Sequence, residues 1–174
     1  MTSLTDVGFV PMRLGKVVAL ADQDHLFFCV VLEGVTQDAV LPISIGEMEA
    51  FNLSATLTGV RFGRPMGPQF AAGLLHALGG SIRQVRIDRL VPVGGGTAYG
   101  STVEVEGPSG AELVDARPSD ALNLAALVPA PIVVAPELLA DAQARMEGDS
   151  PEAILLRRAV ETKQMTIQRQ PSDP

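Results

Sequence analysis

The chain has 174 residues, of which 47% are hydrophobic and 19% charged, and its mean hydropathy is +0.26. This composition excludes a disordered or fibrous protein and indicates a densely packed globular one. Aromatic residues make up only 4% of the chain and the net charge is −7. The core must therefore be aliphatic, and binding to nucleic acid without a local basic patch or a bridging metal is excluded.

The sequence predicts a cytoplasmic protein with no membrane partner. Residues Met1–Asp6 lack the basic region and apolar run that mark a signal peptide. The apolar run Leu26–Leu32 is far shorter than the ~20 residues that span a bilayer. Cys29, the only cysteine, lies inside this run and is predicted to be a small buried residue.

The segment Phe9–Ile45 predicts β-structure, with strands over Val17–Leu20, Leu26–Leu32 and Val40–Ile45. The length and β-branched content of Leu26–Leu32 indicate a strand that is buried on both faces. Pro42 predicts an edge position or a bulge in the third strand, because proline cannot donate to a neighbouring strand.

Two helices are predicted next, over Glu47–Thr58 and Pro68–Leu78. Their apolar stripes are expected to face the core. The stripe residues are Met48, Phe51 and Ala55 in the first helix and Phe70, Leu74 and Leu78 in the second. Glu49, Asn52 and Thr56 form a narrow polar stripe that is expected to face solvent.

The second half of the chain interleaves strands and helices. The predicted strands are Ser81–Asp88, Ala98–Glu106, Glu112–Ala116 and Ile132–Val134, and the predicted helices are Pro118–Val128, Pro136–Met146 and Pro151–Lys163. The helix Pro118–Val128 is apolar nearly all round and is predicted to be the most buried. Gly94–Gly96 predicts a hairpin turn and no nucleotide cofactor, because a strand follows it where a phosphate loop needs a helix.

This order of elements predicts an α+β fold with a mixed, mostly antiparallel sheet or half-barrel and packed helices. We expect one domain over residues 1–146, followed by a C-terminal helix and loose tail over residues 147–174, because Gly148–Pro151 breaks the pattern. A chain this aliphatic is expected to bury apolar surface against a copy of itself, as a homodimer or alternatively a trimer.

The segment Asp115–Asp120 is the first candidate site. Asp115 shares the strand parity of Leu113, a position predicted to lean inward, and Arg117 and Asp120 lie where a helix begins. In a structural interpretation, Ser119 or Asp115 caps the helix, Asp120 complements its dipole and Arg117 pairs with a carboxylate. In a chemical interpretation, Asp115 and Asp120 are metal ligands or general bases and Arg117 holds a phosphate.

Arg61 and Arg64 form a second candidate patch, in a loop framed by glycine and proline. Two guanidiniums there could bind phosphates bidentately, or they could be two solvated charges on a turn. Histidine and cysteine do not occur at ligand spacing, so no zinc site is expected.

Three stretches resemble the bifunctional nuclease (BFN) domain family. Leu41–Ala50 resembles the family's LPIxIGxxEA opening, and Arg64-Pro65, followed by a helix that ends in Leu-Gly-Gly, is similar to its middle. Asp115–Leu122 matches the DARPSDAI signature almost letter for letter. The resemblance covers roughly residues 9–142 and implies a compact α+β domain, often oligomeric, that cuts both DNA and RNA.

The resemblance also implies site residues. Glu49 matches the family's glutamate, and Asp115 and Asp120 match its signature, so these three carboxylates are the expected catalytic residues. In the implied mechanism a divalent metal, Mg²⁺ or Mn²⁺, on these carboxylates activates water, while Arg64 and Arg117 stabilise charge on the phosphate. DNA or RNA is the expected substrate.

One segment departs from the family pattern. Gly67-Pro68-Gln69 stands where the family usually reads Thr-His-Asp. If that histidine and aspartate take part in hydrolysis, this chain lacks a base and a metal ligand. Two functions follow: a nuclease weakened by this loss, or a non-catalytic regulatory or anionic-ligand-binding module on the same scaffold. The acidic charge and low aromatic content favour the second.

Overall fold

The computed structural model describes residues 8–22 and 25–164. Within them the strands are β1 (Val10–Asp22), β2 (His25–Gly34), β3 (Val40–Ile45), β4 (Ser81–Val93), β5 (Gly96–Gly107), β6 (Gly110–Ala116) and β7 (Ile132–Val134). The helices are α1 (Glu47–Leu57), α2 (Gly67–Ala77), α3 (Pro118–Leu127), α4 (Pro136–Glu147) and α5 (Pro151–Glu161). The predictions about a signal peptide and a loose tail concern residues 1–6 and 168–174, which lie outside the described residues.

The strands form one open sheet in the order β3-β2-β1-β7-β4-β5-β6. The β4–β7 pair is parallel and every other neighbouring pair is antiparallel. The predicted α+β fold with a mixed, mostly antiparallel sheet is therefore confirmed. β3 lies at one edge of the sheet, where Pro42 costs no strand pairing, and β6 lies at the other.

The β4–β5 hairpin turns at Gly94 and Gly95, whose φ angles are +53° and +85°. Two positive φ angles match the two-residue turn that best follows strand twist, and they explain the glycines. The hairpin is confirmed, but the predicted end of β4 at Asp88 is wrong. An irregularity in register between Ile87 and Arg89 interrupts the alternation, and the strand continues to Val93.

β2 is covered on both faces, as predicted. Val30 and Leu32 belong to the main core beneath α1 and α3, whereas Cys29 and Val31 belong to a smaller core that includes Ala159 of α5. Burial raises the pKa of the Cys29 thiol to about 12, so this cysteine is a packed residue rather than a nucleophile.

α3 has the largest buried share of the described helices, with six of its ten residues buried, as predicted. The stripes predicted for α1 are partly wrong, because Met48 is 55% exposed and Asn52 is only 7% exposed. α1 contacts both the sheet and α3, so more than one side of it is covered. The Asn52 amide meets this burial by donating to Met48 O at 2.9 Å.

α2 has no buried residue, so its predicted core stripe is wrong. Phe70, Leu74 and Leu78 are 60%, 48% and 75% exposed. The physical reason is position: the main neighbour of α2 is α3, and the helix lies outside the layer that faces the sheet. Periodicity identifies an apolar stripe but does not determine what lies opposite it.

The C-terminal helix α5 packs against β1, β2 and β3, and it buries Ala153, Leu156 and Ala159. The Lys16 ammonium holds its end by donating to the carbonyls of Val160 and Thr162. None of the helices in residues 8–22 and 25–164 is long and apolar enough to cross a bilayer.

Candidate functional site

The structure brings three of the predicted site residues together where α1 and α3 begin. Arg117 Nη2 donates to Glu49 Oε1 at 2.8 Å. Arg117 Nε donates to Asp120 Oδ2 at 2.8 Å, and Nη2 donates to Asp120 Oδ1 at 2.9 Å. Hydrogen bonds to Asp120 and Glu49 raise the pKa of the Arg117 guanidinium. We call these residues the Arg117 cluster.

Local structure fixes the Arg117 cluster. Asn123 Nδ2 ties the two helices together by donating to Glu49 O at 3.1 Å and Ser119 O at 2.9 Å. Gly46 leaves room for Glu49 to fold back over the start of α1, because a Cβ at residue 46 would lie 2.3 Å from Glu49 Oε2. The predicted capping of α3 by Ser119 or Asp115 is wrong: Arg117 occupies the N-cap position and its side chain makes no capping bond.

Asp115 lies outside the Arg117 cluster. Its side chain is 86% exposed and pairs with Arg89 of β4. The predicted inward lean is therefore wrong, although the parity with Leu113 is right, since Leu113 is itself 64% exposed. β6 is an edge strand, and alternation along an edge strand does not show which face the core covers.

The three predicted metal ligands do not fit a divalent cation in this arrangement. Mg²⁺ and Mn²⁺ need several converging oxygens, but Glu49 and Asp120 both accept from Arg117, and Asp115 binds Arg89. No group of three histidines, cysteines or acidic residues in the described part of the chain is placed to hold a metal. We therefore derive no step through a metal ion.

Arg61 and Arg64 line a cleft of about 480 Å³ together with Phe62, Gln69 and Leu127. We call it the arginine cleft. Its lining contains no acidic residue, and neither arginine forms a salt bridge with any residue in 8–22 or 25–164. Phe62 stacks on Phe51 with ring centroids 5.3 Å apart and planes inclined by 23°. The cleft is a local basic patch on an acidic protein.

The arginine cleft and the Arg117 cluster lie at opposite ends of α1 and α3. Glu49 is in the first turn of α1, whereas Thr56 and Gly59, near the end of that helix, line the cleft. Seven residue steps of helix separate Glu49 from Thr56, or about 10 Å along the axis. One phosphate group therefore cannot contact both places. Gln69, from the segment that departs from the family pattern, lies in the arginine cleft.

Two signature stretches line a second cavity of about 490 Å³, formed by residues 42–46 and 117–119 with the β4–β5 hairpin, α4 and α5. We call it the α3 cavity. Inside it, Tyr99 Oη donates to Asp141 Oδ2 at 3.2 Å, and Arg145 Nε donates to the same oxygen at 2.6 Å. The Arg145 guanidinium lies 5.3 Å from the Tyr99 ring centroid. Burial raises the pKa of Tyr99.

Sequence reasoning missed Phe62, Tyr99 and Arg145 as candidate site residues. The position of Phe62 between Arg61 and Arg64 is a signal that could have found it, since basic and aromatic residues alternate in strand-binding loops. Tyr99 and Arg145 carry no such signal, because they lie 46 positions apart and meet only in the folded chain.

Fold and sites together define an α+β domain with a basic cleft at one end of α1 and α3 and the α3 cavity at the other. Residues 30–147 match the bifunctional nuclease domain, and the chain belongs to that family. It is 34% identical over 122 residues to "Uncharacterized protein MT1877" and to "Uncharacterized protein Rv1829", from two strains of Mycobacterium tuberculosis. Each match covers 70% of this chain and 70% of the relative.

Proposed function

We propose that this chain binds single-stranded DNA or RNA at the arginine cleft and hydrolyses its phosphodiester bonds slowly. One observation carries the proposal: Arg61 and Arg64 line a cleft with no acidic lining residue, and neither forms a salt bridge with a residue in 8–22 or 25–164. Arginine binds phosphate oxygens bidentately, and a guanidinium already engaged by a carboxylate is less available for this. Arg117, which has two acidic partners, is such a case.

Phe62 makes a single strand the preferred form of nucleic acid. One face of its ring stacks on Phe51, and the residue also lines the arginine cleft, as Arg61 and Arg64 do. Aromatic side chains next to basic ones bind single strands by stacking on a base while the cations contact phosphates. Bases in a duplex are stacked on one another and cannot reach such a ring.

Family membership favours hydrolysis, and two features of this chain make it slow. Gly67-Pro68-Gln69 stands in place of the family's Thr-His-Asp, and only Gln69 of these three residues lines the arginine cleft, so the lining lacks a histidine or aspartate that could activate water. The carboxylates of the Arg117 cluster bind Arg117 at the other end of the helices. The same features support a second candidate function, a regulatory module that binds nucleic acid or another anion without cutting it.

Binding is tested by fluorescence anisotropy of a labelled single strand titrated at several salt concentrations. Each phosphate contact on a single strand contributes about 0.7 to the slope of log K against log salt. The double variant Arg61→Gln/Arg64→Gln is therefore expected to bind more weakly, with a slope smaller by about 1.4. The single variants Arg64→Gln and Arg13→Gln are also compared, because Arg13 is an exposed arginine that does not line the cleft. Equal losses in these two variants would refute the cleft as the binding site.

Single-strand preference is tested with Phe62→Leu, which keeps apolar volume and removes the stacking face. We expect about a tenfold loss of affinity for the single strand, in line with the contribution of one stacked base. Phe70→Leu is the matched control, because Phe70 is 60% exposed on α2 and does not line the cleft. A blunt duplex of the same length that binds as tightly as the single strand would contradict the proposal.

Cleavage is tested by restoring the family segment with Gly67→Thr, Pro68→His and Gln69→Asp together. The restored variant is expected to cut single-stranded DNA and RNA faster, because general acid–base catalysis contributes about 10²- to 10⁴-fold. If it cuts no faster than the native chain, the role given to this segment is wrong.

The catalytic roles predicted for Glu49 and Asp120 are tested separately with Glu49→Gln and Asp120→Asn, and Asp115→Asn serves as the control outside the Arg117 cluster. EDTA tests the prediction of Mg²⁺ or Mn²⁺. If the carboxylates hold a catalytic metal, EDTA stops cleavage and Asp120→Asn lowers it by orders of magnitude. If the Arg117 cluster is structural, as its geometry favours, cleavage survives both and only the melting temperature falls.

A further inference from the structure

The outward side of α2 is apolar where a surface helix is normally charged. α2 contains no aspartate, glutamate, lysine or arginine. Its half-buried residues Ala72 and Leu75 face α3, because they line a small cleft together with Leu127. We give the name α2 face to six of its exposed residues, Phe70, Ala71, Gly73, Leu74, Ala77 and Leu78. A surface helix normally carries polar side chains on the side away from the core, so this face indicates a partner.

Gly73 supports a close approach of another chain to the α2 face. Glycine in the interior of a helix lowers stability relative to alanine. The fold of one chain does not require it, because Gly73 has no positive φ and a Cβ placed on it would meet no atom of the described residues within 4 Å. Small residues on a helix surface allow a second helix to approach to the short end of the usual 8–10 Å.

A second copy of this chain fits the α2 face. Phe70, Leu74 and Leu78 are spaced four residues apart. An antiparallel pair of α2 helices centred on Leu74 therefore places Phe70 of each copy against Leu78 of the other. Each chain carries a net charge of −7, but the α2 face has no charged residue, so the helix pair brings no like charges together. An anionic bilayer would repel a chain with this net charge.

The arginine cleft determines the direction of the two helices. Gln69 directly precedes Phe70 and lines the cleft, so Arg61 and Arg64 lie near the N-terminal end of α2. Parallel helices would place two pairs of arginines at one end, where they repel each other. Antiparallel helices place each cleft beside the C-terminal end of the other α2, whose carbonyl groups carry partial negative charge.

We propose that two copies of this chain pair through the α2 face, and that one single strand of nucleic acid then occupies both arginine clefts. The second part rests on the proposed function. Gln69 lies five residues from the centre at Leu74, so the two clefts are about 15 Å apart along the helices and about 18 Å apart in all. About five stacked nucleotides span this distance. The paired clefts therefore favour long strands over short ones.

The size of the α2 face sets the strength of the pairing. Its six residues compare with about 20–30 residues on each side of a standard interface. The β5–β6 turn continues the surface, since a Cβ on Gly79 would lie 3.4 Å from the side chain of Pro108, which is exposed. We therefore expect a dimer that dissociates in the micromolar range, and the experiments use protein above that concentration.

Crosslinking tests the pairing. A short bis-maleimide should join Leu74→Cys into dimers, because the two copies meet at this residue. Val35→Cys is the matched control, since Val35 is 58% exposed in the β2–β3 turn, and it should remain a single chain. Native Cys29 does not interfere, because it is buried. Equal crosslinking of the two variants, or none in Leu74→Cys, would overturn the pairing.

Strand length tests the paired clefts. Fluorescence anisotropy compares thymidine homopolymers of about 4 and about 20 nucleotides, which suit one cleft and two. The ratio of the two affinities should be about tenfold larger for the native protein than for Phe70→Glu, because binding at the second cleft is intramolecular. Leu74→Glu should behave as Phe70→Glu does. Val35→Glu adds the same charge at an exposed apolar residue and should keep the native ratio. Circular dichroism checks that each variant is folded.

The outcomes separate this inference from the proposed function. The same affinity ratio in the native protein and in both α2 variants would overturn the occupation of two clefts by one strand. If the native protein binds neither strand, the proposed function fails together with the second part of the inference. Crosslinking of Leu74→Cys needs no nucleic acid, so it decides the pairing of the two copies in either case.

Discussion

Leu122 is the residue whose truncation best tests the packing that positions both sites. It lies in α3, is 0% exposed and belongs to the main core. α3 begins at the Arg117 cluster and the α3 cavity, and its last residue, Leu127, lines the arginine cleft. Leu122→Ala should therefore loosen the element that connects them.

The cost of Leu122→Ala follows from its complete burial. Removing three buried carbon groups costs about 2.4 kcal/mol at about 0.8 kcal/mol for each. The cavity left behind adds about 1 kcal/mol when the surroundings relax only in part, for a total of about 3.5 kcal/mol. For a chain of this length each kcal/mol lowers the melting temperature by about 2–4 °C, so a fall of about 7–14 °C is expected.

The assay is urea unfolding followed by circular dichroism, together with a thermal melt. Leu124→Ala is the matched control, because it makes the same change on the same helix at a position that is only half-buried. Its loss should be about half as large, since less apolar surface leaves contact. Equal losses in the two variants, or a loss below about 1 kcal/mol for Leu122→Ala, would refute the burial assigned to α3.

Three further predictions concern the thiol, the Arg117 cluster and assembly. The Cys29 thiol should resist alkylation at pH 8 in the folded protein, and rapid labelling would contradict this. The free energy of unfolding should fall as the pH rises from about 8.5, where the unfolded thiol ionises, towards the folded pKa of about 12. Gly46→Ala should displace Glu49 from Arg117. It should lower the free energy of unfolding by at most about 1 kcal/mol, because that ion pair is partly exposed. A larger decrease in a urea titration would show that Gly46 has another role. Light scattering of the native protein should give a mass of two chains, each of 18.3 kDa. Phe70→Glu should give the mass of one chain, because it places a charge on the exposed apolar stripe of α2. A native mass of one chain would refute the dimer, and a mass of three chains would favour the trimer.

Many residues of the candidate site could be predicted from the sequence, but little of their arrangement in space could be. Glu49, Arg117 and Asp120 were identified from two separate stretches, and the structure brings them together. Asp115 belongs to the same signature yet points away, and Arg61 and Arg64 lie at the far end of the helices. A motif names residue types in order, whereas contacts between α1 and α3 depend on how two helices 60 residues apart pack.

The sequence alone determined what is local in this protein. Alternation and β-branched content located the strands, three consecutive glycines marked the hairpin turn, and Pro42 marked an edge position or a bulge, because each depends on the backbone preferences of a few neighbouring residues. Tertiary structure decided which faces are covered. The stripe of α2 is exposed, Asn52 is buried and Ser119 lines a cavity, because burial depends on elements brought from elsewhere in the chain, which no local pattern specifies.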